Sequence, residues 1–180
     1  MDRLSAKCRR TYYPASKSSG TRSLSRIKLV VLHDTEGGTA ESNARYFHGA
    51  NAKGSAHLVV DGKACYRCLA DSSIPWAAPG ANSTGVHIEL AAYARWTRAQ
   101  WLLRPLLLRR AAYKTAKYCK VYGLPPVFRT AAELRDGKRG VTTHAECTKA
   151  FGGDHTDPGP NFPLGVFMGL VRYYHKRVKP

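Results

Sequence analysis

Acidic residues are scarce in this sequence. Asp and Glu number 12 against 29 Lys and Arg, a formal charge of +17. Such an imbalance says nothing of fold, but it favours a polyanionic partner: nucleic acid, a membrane surface, or an anionic polymer such as a bacterial cell wall. RNA-binding aromatic signatures and DNA-reading motifs are both missing, so charge alone is left to argue for nucleic acid, and no specific nucleic-acid partner is expected. No apolar run approaches membrane-spanning length. The N-terminus, MDRLSAKCRR, lacks the apolar core of a signal peptide, so synthesis in a cytoplasm is expected. Five Cys, an odd number, argue against a disulfide framework. Cys65 and Cys68 form a CxxC, but no second pair completes a four-ligand zinc site, and buried or half-buried free thiols are expected.

What is present fits one core. A chain of 180 residues with 43% hydrophobic content supports a single domain. Residues 1–25 are polar, basic and Ser-rich, an extended or loosely packed arm ahead of a domain at 26–180. From Ile27 the run IKLVVL carries the signature of a central strand covered on both faces, with His33 at its C-terminal end. A short helix is predicted from about Thr39, with Glu41 in its first turn and Gly49 as its stop. SAHLVVD and ACYRCL read as strands joined at Asp61-Gly62, and GVHIEL reads as another after the loop SSIPWAAPGANST. Residues 98–122 form the clearest helix, with Pro105 marking either its start or a kink. Arg110, Lys114 and Lys117 give it a basic face, by default a solvated one. A short strand at GVTTH and an amphipathic helix over residues 163–176 follow. The fold class is α/β: a single domain with a central mixed β-sheet flanked by α-helices.

Residues 142–160, TTHAECTKAFGGDHTDPGP, gather His144, Glu146, Cys147, Asp154, His155 and Asp157 where Gly and Pro discourage any long helix or strand. Residues that bind metals or move protons, displayed on irregular backbone, are a common way to build a site. Catalytic zinc takes three protein ligands and leaves a fourth position for water. His33, His144 and Asp157 are candidate ligands, with Cys147 or Asp154 as alternatives for the third. Glu89 suits proton transfer and His155 suits stabilising an oxyanion. The bland readings stand beside these: Glu89 as an exposed strand residue, and Asp154 and Asp157 as turn-formers. His57 points either into the cleft or into the core. His48, His87 and His175 are read as structural.

The motifs VLHDTEGG, SAHLVVDGKACYRC, the loop around Pro75-Trp76, GVHIEL, YGLPP, TAAELRDGKRGVTTHAEC and HTDPGPNFP occur in this order over residues 27–171. In this the chain resembles zinc-dependent N-acetylmuramoyl-L-alanine amidases of the fold shared with peptidoglycan-recognition proteins, phage endolysin domains above all. The resemblance implies Zn2+ held by His33, His144 and Asp157, with Glu89 catalytic and His155 where many relatives have Lys. It implies hydrolysis of the amide between N-acetylmuramic acid and L-alanine through zinc-activated water. Implied with it is action on bacterial peptidoglycan after synthesis in the host bacterial cytoplasm before lysis; a monomer is expected, and the positive charge would draw its basic surface to anionic wall polymers. Ala77, after Trp76, replaces a His common in relatives. A non-catalytic peptidoglycan-binding module and a recycling amidase for soluble muropeptides are the alternatives.

Overall fold

All six residues from Leu29 to Asp34 are buried, as a strand covered on both faces must be. The structure is a computed structural model and describes residues 9–10 and 13–179. Its strands are β1 (Arg9–Arg10), β2 (Leu29–Asp34), β3 (Leu58–Val60), β4 (Cys65–Arg67), β5 (Gly85–Leu90) and β6 (Gly140–Thr143). Its α-helices are α1 (Ala40–His48), α2 (Arg98–Leu102), α3 (Pro105–Val121), α4 (Ala131–Arg135), α5 (His144–Phe151) and α6 (Leu164–His175).

The sheet order is β1-β4-β3-β5-β2-β6. Only β3 and β4 pair antiparallel; the other pairs are parallel, so the sheet is mixed as expected. Strand alternation sends Val30, Leu32, Val86, Ile88 and Leu90 to one face, where they share a core with Leu108, Ala111 and Ala112 of α3 and Phe167 and Val171 of α6. Burying a Val, Leu or Phe side chain contributes about 1.5–3 kcal/mol, so this layer dominates the stability. The opposite face carries Leu29, Val31 and Cys147 in one cluster, and Val59 with Ala40, Ala44 and Phe47 of α1 in another.

Four expectations need correcting. The helix expected over residues 98–122 is two helices. Pro105 opens the second, because its ring disfavours helical backbone at Arg104, which has φ −117° and ψ 57°. The basic face of that helix is not all solvated: Arg110 and Lys114 are buried, and Arg110 donates to the carbonyls of Asp61 (3.0 Å) and Gly62 (3.3 Å). Residues 144–151 are helical rather than irregular. Thr143 caps them, its hydroxyl accepting from the Glu146 amide at 3.3 Å, and no Gly or Pro interrupts before Gly152. Finally, Cys65 is disulfide-bonded, while Cys68 is a buried free thiol. An odd count rules out complete pairing, not a single bridge.

Most of the expected arm, residues 1–8, 11 and 12, lies outside the described residues. Residues 13–25 run along the body, with the amides of Ala15, Ser19 and Arg22 donating to the carbonyls of Cys68, Ile74 and Ser72. Among the described residues no helix is long and apolar enough to cross a membrane.

Candidate active site

The parallel register of β2 and β5 sets His33 opposite Glu89 at the carboxyl ends of the two strands, where open α/β sheets hold their ligands. Strand β6 runs beside β2 and delivers His144 as the first residue of α5. Asp157 returns to the same point because its carbonyl accepts from the Ala145 amide at 3.0 Å. The Asp157-Pro158 peptide is cis. Gly159, at φ +88°, lets the loop pass so close to Ala94 that a Cβ there would lie 2.1 Å from the Ala94 carbonyl oxygen.

Three side chains from three elements therefore converge. Nδ1 of His33 lies 3.1 Å from Nδ1 of His144, and the Asp157 carboxylate reaches both, Oδ2 at 3.3 Å from His33 and Oδ1 at 2.9 Å from His144. All three residues are buried, with ligand-capable atoms within 4.8 Å of one another. Burial opposes ionisation of Asp157, but hydrogen bonds from His144 and His33 outweigh it and hold the carboxyl far below its ordinary range. Burial lowers the pKa of His33. Two imidazoles and a carboxylate are zinc donors, and one small cation would satisfy all the lone pairs meeting here. The residues fit the ion.

Glu89 is half-buried, and its Oε2 is shielded from water without a hydrogen-bond partner among the described residues. Burial, then the nearby carboxyls of Asp157 and Asp34, push its pKa well above the usual carboxylate range. His155 sits on the loop with its side chain 60% exposed; its ring stacks on His144 with centroids 4.2 Å apart, and its Nδ1 is 3.5 Å from Asp157. Glu89, His155 and Asp157 line a cleft of about 440 Å³ with Asp34, Tyr46 and Phe47. Beyond the His155 loop lies a second cleft of about 790 Å³, lined by Phe128, Glu146, Phe162 and Leu164 among others.

The alternative third ligands stay apart from this cluster. Cys147 packs in the core against Leu29 and Val31, and the Asp154 side chain is 98% exposed. Glu146 accepts from the Ala131 amide at 2.7 Å and from Lys149 at 2.6 Å. Trp76 and Ala77 line neither cleft. His57 belongs to the core: its Nδ1 accepts from the His87 amide at 3.1 Å, and burial lowers its pKa to about 3. His87, read from the sequence as structural, is buried and also reaches the site. Its Nδ1 is 2.9 Å from Nε2 of His33. The period of two in GVHIEL, which aims positions 87 and 89 the same way, was the available signal.

With this geometry in view, the sequence model of the N-acetylmuramoyl-L-alanine amidase family (Amidase_2) matches residues 23–160. The chain belongs to that family. The match takes in all five candidate residues, His33, Glu89, His144, His155 and Asp157. Solved structures resemble this amidase chain over nearly its whole length. Staphylococcus aureus hydrolase AmiA, solved with its ligand, is 21% identical over 92% of this chain and 80% of its own, with a TM-score of 0.70. PlyL is 20% identical over 87% of this chain and 88% of its own, with a TM-score of 0.61. The N-acetylmuramoyl-L-alanine amidase LysC of Clostridium intestinale is 16% identical over 90% and 94%, with a TM-score of 0.55. At these identities the likeness speaks for the fold. No curated protein sequence matches the chain.

Proposed function

We propose that this chain is a zinc-dependent peptidoglycan amidase cleaving the bond between the lactyl group of N-acetylmuramic acid and L-alanine, as phage lysins do. The observation that carries the reading is the meeting of His33, His144 and Asp157 within 4.8 Å, beside a carboxyl at Glu89. His33, His144 and Asp157 would hold the zinc, which when bound would supply Lewis acidity, lowering the pKa of its water from ~15.7 towards ~7, polarising the carbonyl and favouring ionised Glu89. Glu89 takes the proton of the attacking water and delivers it to the leaving alanine nitrogen. His155, exposed at the cleft wall, donates a hydrogen bond to the oxygen that gains charge at the scissile carbonyl. His87 holds the far nitrogen of His33. The clefts on either side of the His155 loop give an extended substrate of sugar and peptide room on both sides of the reacting bond.

The charge of +17 draws the chain to an anionic wall, an attraction that salt screens. Release of soluble peptide from purified peptidoglycan tests the reading. Chelator abolishes the release, and Glu89→Gln lowers kcat by about 10²–10⁴-fold while zinc stays bound. Undiminished release by Glu89→Gln would overturn the assignment. Binding to peptidoglycan with no release at all would leave a binding module.

A further inference from the structure

No acidic residue stands between Glu89 and Glu133, and at the joint of α2 and α3 this basic stretch also exposes leucine. Leu103, the C-cap of α2, is 78% exposed, Leu106 53% and Leu102 42%. Their neighbours Trp101 and Leu107 turn inward and are buried, so the three leucines are not part of the core. Arg98, Arg104 and Arg109, all exposed, flank them along the chain. Arg98 lies one turn before Leu102 in α2, and Arg109 three residues after Leu106 in α3, so each shares a helix face with a leucine. The Arg104 guanidinium, between the helices, lies 3.9 Å over the Trp96 ring.

This corner stands at the sheet edge that carries the catalytic cleft. Arg110, one turn past Leu106, donates to the carbonyls of Asp61 and Gly62, just beyond the carboxyl end of β3. Strand β3 is parallel to β5, and β5 to β2, so these residues share an edge with His33 and Glu89. The segment leading into α2 contains Ala94, which lines the cleft.

We propose that Leu102, Leu103 and Leu106, flanked by Arg98, Arg104 and Arg109, form a docking surface for an anionic lipid bilayer. The arginines would be met equally by a negatively charged wall polymer. Such a polymer is too hydrated to relieve the exposed leucines, whereas a bilayer answers both: the leucines enter the acyl boundary and the guanidiniums stay with the phosphates. The contact is peripheral and holds the cleft near the membrane face. It goes beyond the amidase reading, because none of the proposed catalytic residues takes part.

Co-sedimentation of the full chain with vesicles tests the proposal without any reaction. The chain binds mixed phosphatidylglycerol–phosphatidylcholine vesicles and not phosphatidylcholine alone. The triple variant Leu102→Ser, Leu103→Ser, Leu106→Ser partitions about tenfold less or weaker still, with its melting temperature retained. In a Leu103→Trp variant, the fluorescence difference from the parent chain shifts blue on vesicles and is quenched by brominated acyl chains. Equal partitioning of the triple variant, or an introduced indole that stays unquenched, would mean that charge alone holds the chain and would overturn the proposal. So would retention on purified anionic wall polymer without retention on vesicles.

Discussion

A ligating imidazole is aimed by whatever holds its second nitrogen, and for His33 that partner is His87, 2.9 Å away. With His33 holding a metal through Nδ1, Nε2 would carry the ring proton and donate it to Nδ1 of His87. His87 is itself buried, and burial first, then the nearby His33 and His57, hold it neutral and able to accept. His87→Ala should therefore weaken zinc binding by about 10–100-fold, read by competition with a chromophoric chelator. His87→Asn, which offers a carbonyl acceptor, should recover part of the loss. An affinity unchanged in His87→Ala would show that His33 needs no such support.

Two elements make sharp demands of single positions. The loop over residues 152–160 works only if Gly159 passes Ala94 at a distance no Cβ allows, with φ +88°. Gly159→Ala should cost about 1–3 kcal/mol in denaturant unfolding. It should also weaken zinc binding, because Asp157 rides on the same loop. In helix α3, burial first and then Arg110 and Lys117 push the Lys114 pKa down to about 8, against 10.5 ordinarily. Between those values the folded chain binds fewer protons than the unfolded one, so Lys114 makes stability rise with pH across the window. Below about pH 8 it is charged in both states, and the burial penalty is felt in full. Lys114→Met should flatten the rise between pH 8 and 10.5, measured by denaturant melts at each pH.

For the whole molecule, the proposed ion ties β2, α5 and the following loop to one point. A ligand that binds only the folded chain stabilises it by mass action, about 2.7 kcal/mol at a free concentration of 100 Kd. Zinc should stabilise the metal-free chain by that amount, seen as a higher melting temperature, and His144→Ala should remove the shift. Wall retention should fall as salt rises, because exposed charges separated by more than a Debye length are screened. At the bilayer contact, the leucines should make retention on vesicles less sensitive to salt than retention on wall polymer.

Taken alone, the sequence determined the elements whose patterns are local: the buried run ending at His33, the hairpin at Asp61-Gly62, the strand GVHIEL and the amphipathic C-terminal helix. Its ordered motifs also marked the five candidate site residues. Periodicity and capping act over a few residues, so they can be read without the fold. Only the tertiary structure decided what depends on register and on distant partners. It put His87 behind His33, sent Cys147 into the core, buried Arg110 and Lys114 against the sheet edge, and left Leu102, Leu103 and Leu106 in water. A helical or β-strand pattern states which residues share a face. It cannot state what that face meets, because the partner comes from a segment tens of residues away.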